Sequence, residues 1–447
     1  MTKKTALTID WSCSSSGSIG AVHGITPQEL AGIEKRAGDV FEETRARRLM
    51  GEIPFFDLPY RRADTEAVKR AGQGLRKRIE NFVVLGIGGS ALGARTIFSA
   101  LCHPLHNLLP GKKRHGMPRI FIMDNIDPDS FSGLLESIDP MKTAFNVISK
   151  SGKTLETMAQ FAIVRDILDK ALGKKARERI FVTTEQKDNP LSDLARKESY
   201  TTFAIPNGVG GRFSVLTPVG LFPASVMGVD IKSLLAGARA SDEACQGKTT
   251  DKNPALLLGS LLYLMDVKKG KRIVVMMSYA DSLVGLSQWF CQLWAESLGK
   301  RYSLDGKILN TGQTPIAALG ATDQHSQLQL YLEGPKDKVI TFLSVEKYRS
   351  IRKLKGRLAP PLSRLGGRDL GEILRAEQRG VENALLKDCR PSLRINIPQV
   401  NAETLGQIFY LLEAATVYAG GLYGINPFDQ PGVELAKKIA MEILERK

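Results

Sequence analysis

Long apolar runs are absent from this chain: none of its 447 residues belongs to an uncharged apolar stretch approaching the ~20 residues that span a bilayer as a helix. The first ten residues, Met1 to Asp10, contain no apolar core followed by a small-residue cleavage site, so no secretory leader is read there. Both absences point to a cytoplasmic protein. Cysteine is scarce: Cys13, Cys102, Cys245, Cys291 and Cys389 are odd in number, far apart and never a CxxC pair. That argues against a disulfide framework or a zinc knot and favours reduced thiols. Of the few histidines, His103 and His106 have a spacing that could share a helical face, but Pro104 lies between them, so no metal-ligand set is read. Acidic residues are outnumbered, 47 against 62 basic ones, for a net charge of +15. The strongest basic run is Lys347 to Arg357, yet the remaining charge is scattered, without an aromatic-interleaved stripe, a zinc finger or an RNP-type motif. No nucleic-acid partner is therefore expected; the excess reads as a basic surface that attracts anionic metabolites.

What is present is a repeated α/β grammar. Thr26-Pro-Gln-Glu29 carries the signals of a helix start, a capping hydroxyl, a proline in the first turn and a glutamate that can reach back, so a helix is expected to about Met50. Apolar strands are expected at Phe82–Gly86, Ile120–Asp124, Phe145–Ser149 and Ile180–Thr184. A helix between them is marked by Leu155, Met158, Phe161, Val164, Leu168 and Leu172. The grammar resumes with a strand at Arg272–Ser278, a helix through Trp289 and Trp294, and a strand at Val339–Val345. Apolar strands alternating with amphipathic helices imply parallel sheets covered on both faces. From Glu403 onward two helices are expected, separated by a long loop from Gly420 to Pro431.

Two loops follow strands, where open α/β sheets bind ligands. Ser149-Lys-Ser-Gly-Lys-Thr154 offers hydroxyls from Ser149, Ser151 and Thr154 and charge from Lys150 and Lys153 at the start of a helix, the parts of a phosphate cradle. It is not a Walker A loop, since Val147 stands where that pattern needs glycine. Gly86-Ile-Gly-Gly-Ser-Ala91 fits a relaxed GxGxxA pattern, but the first acidic candidate for a dinucleotide ribose, Asp124, lies 33 residues past Ala91 (124 − 91), further than the ~20 such a fold uses. Glu296 closes an apolar helix, where burial would suit a general base; a surface cap is the competing reading. His325 sits in a polar, turn-like segment, Lys437 near the start of the last helix, and Arg212 after two glycines that would let it enter a cleft.

In family order, the segments Gly86-Ile-Gly-Gly-Ser90, Ser149 to Thr154, Gly210-Gly-Arg-Phe-Ser214, Glu296-Ser-Leu-Gly-Lys300, Asp323-Gln-His-Ser326 and Asn426-Pro-Phe-Asp-Gln-Pro-Gly-Val-Glu434 resemble the glucose-6-phosphate isomerases, over nearly the whole chain. The resemblance implies α/β architecture with two flavodoxin-like sugar-isomerase (SIS) domains, each a mostly parallel sheet flanked by helices, plus C-terminal helices. The divisions are expected at 1–60 (a helical segment), 61–215, 216–400 and 401–447. It implies reversible exchange of glucose 6-phosphate and fructose 6-phosphate by ring opening and a cis-enediol, in a homodimer with a shared active site and without metal or cofactor. Carried over by position, Glu296 is the base, Arg212 steadies the enediolate, and His325, from the neighbouring subunit, and Lys437 open the ring. Ser149, Lys150, Ser151 and Thr154 hold phosphate, and Gly89, Ser90 and Gln430 contact substrate. Ala436 and Pro431 depart from a glycine common in the family and a tryptophan of its longer members. The alternatives are an isomerase that also accepts mannose 6-phosphate, a non-catalytic phosphosugar-binding protein on the same domains, and a nicotinamide oxidoreductase.

Overall fold

The computed structural model describes residues 7–356 and 359–445. The first six residues of the N-terminal stretch read above, Arg357 at the end of the basic run, and the last two residues lie outside these.

The chain begins with a short strand, β1 (Thr8–Asp10), and reaches the expected helix at Pro27–Leu49. Its start is a capping box: the Glu29 N–H donates to Thr26 Oγ1 at 3.1 Å and the Thr26 N–H to Glu29 Oε2 at 2.8 Å. Five strands then build a first sheet: β2 (Asn81–Leu85), β3 (Arg119–Met123), β4 (Thr143–Ile148), β5 (Ile180–Glu185) and β6 (Thr201–Ile205). Its order is β3-β2-β4-β5-β6 with every pairing parallel. All of β2 and β4 is buried, as strands covered on both faces must be. The apolar runs marked four of these strands; β6 escapes that criterion because it is an edge strand with Thr201 and Thr202 exposed. The chain leaves β2 toward β3 on one side and returns to β4 on the other, so the carboxyl ends of β2 and β4 flank the point where the strand order reverses.

The second sheet contains β7 (Ile273–Ser278) and, beyond a small antiparallel pair β8 (Lys300–Tyr302) and β9 (Ile308–Thr311), the strands β10 (Thr314–Leu319), β11 (Lys338–Lys347) and β12 (Ser392–Gln399). The order is β1-β12-β11-β7-β10, parallel except that β1 lies antiparallel on β12. The segment 1–60, expected to be helical, thus contributes a strand to the far sheet. Three residues are too few to show periodicity, and the partners that hold them, Asn396 on Thr8 and Arg394 on Asp10, are distant in sequence. A core helix at Ala402–Tyr423 is buried almost throughout and packs on the helices Ile231–Ala244 and Pro254–Val267. Here the expected loop is shorter than the sequence suggests. Gly420 and Gly421 lie inside the helix and are glycine because any Cβ there would press on Pro427 and Val40, at 2.9 and 2.5 Å; they serve packing, and Gly424 ends the helix. The final helix, Glu434–Glu445, buries none of its residues.

His103 and His106 do not share a helix face. His106 is buried edge-on to Phe98, with Nε2 2.9 Å from the Pro118 carbonyl.

Candidate active site

Two loops leave the adjacent carboxyl ends of β2 and β4. After β4, the Ser149 hydroxyl, almost fully buried, lies 2.8 Å from Thr154 Oγ1. Thr154 occupies the N-cap of the helix Leu155–Leu172 without capping it through its side chain. Its hydroxyl is turned to Ser149, which leaves the first backbone N–H groups of that helix for an anion. The Thr184 hydroxyl donates to the Ser149 carbonyl at 2.7 Å, fixing the strand end. Ser151 accepts from the Lys153 N–H at 3.3 Å, and the Lys150 ammonium lies 3.8 Å from Glu185. Gly152, at φ +65°, makes the turn: a Cβ there would be 2.1 Å from Asn189 Oδ1.

After β2, Gly89 lies so close to Gly211 that a Cβ would meet its carbonyl oxygen at 2.3 Å. This contact joins the Gly86–Ser90 loop to the short 3-10 turn Gly211–Phe213, which carries Arg212. Arg212 is 2% exposed, and all five N–H directions of its guanidinium are used. Nε donates to Ser297 Oγ at 2.7 Å, Nη1 to Glu296 Oε2 at 3.3 Å and to Gln430 Oε1 at 2.5 Å, and Nη2 to the carbonyls of Pro427 and Asp429 at 2.5 and 3.0 Å. Burial lowers the pKa of this guanidinium and the neighbouring Glu296 charge raises it, with burial the larger effect.

Glu296 stands near the end of the helix Val284–Leu298, with its second oxygen accepting from Gln292 Nε2 at 3.1 Å. The burial anticipated for it is incomplete: 28% of the side chain faces solvent, because it opens onto a cleft of about 590 Å³ lined also by Lys300, Asn310, Thr311, Gln430 and Gly432. Lys300, itself buried, donates to the Glu296 carbonyl at 2.6 Å and the Asp429 carbonyl at 2.9 Å. Burial and the Arg212 charge lower its pKa. A carboxylate braced between a cation and an amide and opening onto a cleft is equipped to move a proton on a bound substrate.

The sequence profile of the phosphoglucose isomerase family matches residues 64–447. The chain belongs to the phosphoglucose isomerase family. It is 44% identical over 427 residues to a glucose-6-phosphate isomerase of Carboxydothermus hydrogenoformans, covering 94% of this chain and 90% of that one. It is 42% identical over 421 residues to that of Rubrobacter xylanophilus, covering 93% and 94%. A crystal structure of a hypothetical protein from Thermus thermophilus superposes with a TM-score of 0.84 at 32% identity, covering 98% of this chain and all of the other. A glucose-6-phosphate isomerase from Chlamydia trachomatis shares the fold, with a TM-score of 0.83 at 22% identity over 98% of this chain and 88% of its own.

Of the residues singled out from the family motifs, the fold brings Arg212, Glu296 and Gln430 into direct contact and places Gly89 against the Arg212 turn. Ser149 and Thr154 form the hydroxyl pair, with Lys150 and Ser151 on the same loop, and Ser90 closes the short 3-10 turn Gly88–Ser90. Two residues stand apart within this one chain. His325 is exposed at the end of the turn Thr322–His325, and the Lys437 side chain is 64% exposed with Glu434 2.8 Å away. Neither touches the Glu296–Arg212 pair. Sequence reasoning overlooked Gln292, Ser297, Lys300 and Asp429. The Gln292–Glu296 pair was legible as an i,i+4 contact, and Ser297 and Lys300 lie inside a quoted motif. The Pro427 and Asp429 carbonyls have no sequence signature, since every residue carries one.

Proposed function

We propose that this phosphoglucose isomerase family member interconverts glucose 6-phosphate and fructose 6-phosphate, with Glu296 moving a proton between C1 and C2. The observation that carries the reading is the Glu296–Arg212–Gln430 contact at the mouth of the cleft, joined through Gly89 to the loop beside the Ser149–Thr154 cradle. The substrate phosphate sits on the cradle, held by the hydroxyls of Ser149, Ser151 and Thr154, by Lys150, and by the N–H groups opening the helix Leu155–Leu172. Ser90 and Gly89 bound the sugar on the β2 side. Glu296 takes the weakly acidic C–H proton of the open-chain sugar and returns it to the neighbouring carbon. The positive charge of Arg212 steadies the enediolate. Because its five N–H groups are all engaged, it acts by its field or by exchanging Gln430 for the substrate oxygen. His325 and Lys437 open the ring, with His325 delivered by a second subunit. This accords with the separation of His325 from Glu296 in one chain and makes the working unit a homodimer with shared sites. The two sugar-isomerase domains are taken as 61–215 and 216–400, and the compartment as the cytoplasm. Among the described residues no helix is long and apolar enough to cross a membrane.

Proton NMR of glucose 6-phosphate in D₂O with the purified protein, a chelator and no nicotinamide tests the reading. Fructose 6-phosphate with deuterium at C2 of the recovered glucose 6-phosphate is expected. Sugar phosphate that binds without turnover would reduce the protein to a phosphosugar-binding one.

A further inference from the structure

The two halves of the chain repeat one local plan. In the first, β2 runs into the 3-10 turn Gly88–Ser90 and the helix Leu92–Leu101; in the second, β7 runs into the 3-10 turn Asp281–Leu283 and the helix Val284–Leu298. Both sheets reverse their strand order beside that strand, between β2 and β4 in one and between β7 and β11 in the other. Ligands of open α/β sheets bind in the crevice at such a reversal, outside the carboxyl ends of the strands. The first reversal carries the phosphate cradle. At the second lies a crevice of about 330 Å³, lined after β7 by Ala280, Asp281 and Ser282 and at the end of β11 by Lys347, Tyr348 and Arg349. Arg352 joins them, so three cations face one carboxylate.

The basic run that the isomerase chemistry leaves unused therefore lines a cavity. Among the described residues none of its three cations forms an ion pair. Arg349 donates to the Leu101 carbonyl at 3.3 Å and Arg352 to that of Ile351 at 3.3 Å, both neutral partners. The floor is of another kind: Val345, Leu370, Leu374 and Val400, beside the Tyr348 ring, whose hydroxyl is already committed to the Tyr279 carbonyl at 2.8 Å. A hexose would lay hydroxyls on a surface with few partners for them, at a desolvation cost. A flat apolar ring would not.

We propose that this crevice is a second ligand site, separate from the isomerase cleft, that takes a nucleoside monophosphate, its base on the Leu370–Leu374–Val400 floor and its phosphate on Lys347, Arg349 and Arg352. The volume falls near the lower end of the ~300 to 1,000 Å³ usual for small-ligand pockets.

Titration calorimetry of the full chain with AMP tests it, alongside ribose 5-phosphate as the same phosphate without a base. Two variants separate the sites: Lys347→Gln with Arg349→Gln at the second crevice, and Thr154→Val at the first cradle. Lys347 and Arg349 are exposed, so the double variant is expected to keep the wild-type circular dichroism melt. One AMP per chain is expected, weakened about tenfold or more by the double variant, as for lost charge-assisted bonds, and unchanged by Thr154→Val. Ribose 5-phosphate should bind there about tenfold or more weakly than AMP. The proposal is overturned by no AMP binding at ~1 mM, the weak end of measurable affinities. It is equally overturned by AMP binding that follows Thr154 rather than Arg349, or by ribose 5-phosphate binding as well as AMP. None of these readouts depends on turnover, so they stand whether or not the isomerase reading does.

Discussion

Arg212 Nη1 lies 3.3 Å from Glu296 Oε2, although 84 residues separate them and they belong to different halves of the molecule. The contact gives a buried cationic partner to a carboxylate whose local sequence is equally that of a helix cap. It also ties that carboxylate to a cation that cannot leave without unmaking four other hydrogen bonds.

Replacing Glu296 by glutamine keeps the shape and removes the proposed base. Turnover should fall by about 10² to 10⁴ while the Michaelis constant stays near wild type, because a proton acceptor lost in the transition state costs rate rather than ground-state affinity. Steady-state kinetics in both directions decide this, and unchanged kcat would remove Glu296 from the mechanism.

Arg212→Lys retains the charge but not the planar fork. A single ammonium has three donors for the five acceptors that the guanidinium now serves, and it cannot reach them in that geometry. A loss of about 2 to 5 kcal/mol in urea unfolding is expected, together with a lower kcat. A variant as stable as wild type would mean that the Pro427 and Asp429 carbonyls find other partners.

In the proposed phosphate cradle, Thr154→Val should act mainly on the Michaelis constant, by about 1 to 3 kcal/mol of lost anion contact. Gly152→Ala should be harsher, because it adds a Cβ at positive φ and 2.1 Å from Asn189 Oδ1. Inhibition by inorganic phosphate provides a direct readout for both. A pure kcat defect in Thr154→Val would argue against the cradle.

If His325 comes from a second subunit, inactive His325→Ala and Glu296→Gln proteins should regain activity when their subunits are exchanged, since half of the sites in a mixed dimer then receive both intact residues. Mixtures that stay inactive after verified exchange would place His325 in its own chain's site, and a His325→Ala protein that is active by itself would put His325 outside the chemistry.

Asp242 locks three helices together. Its carboxylate accepts both Arg48 Nη atoms, at 2.8 and 3.0 Å, and the Tyr60 hydroxyl at 2.6 Å, besides Tyr410. Burial pushes its pKa up, but the bonds from Arg48, Tyr410 and Tyr60 outweigh that and leave it below the ordinary 3.8. A depressed carboxyl pKa in the folded state stabilises the fold above the unfolded value and ceases to do so as pH falls through the folded one. The stability gap between wild type and Asp242→Asn should therefore be full near pH 7 and shrink below about pH 4. Urea unfolding of both proteins across that range measures it; a gap independent of pH would mean that Asp242 contributes shape and hydrogen bonds but no charge.

Much of the fold was legible because its signals are local. The Thr26 capping box, the apolar runs of β2, β5 and β7, the run of β4 broken only by Asn146, and the helical spacing from Leu155 to Leu172 each draw on neighbours a few residues away. Strand β6 was not, since a half-exposed edge strand lacks an apolar run. Strand β1 was not, since a three-residue strand is defined only by its partner. Gly420 and Gly421 misled for a related reason: glycine breaks a helix in isolation and permits one where another element presses on it.

By itself, then, the sequence determined the alternation of strands and helices, the two loops at strand ends and the identity of the polar groups available, because propensity, periodicity and spacing act over a few residues. It also carried the family motifs. Only the tertiary structure decided that Arg212 is buried with every donor engaged, that Glu296 opens onto a cleft, that Gly89 must be small to admit Gly211, and that the basic run at Lys347 lines a crevice. Each of these depends on atoms brought together from distant parts of the chain. Burial and contact are properties of that three-dimensional meeting, which no window along the sequence contains.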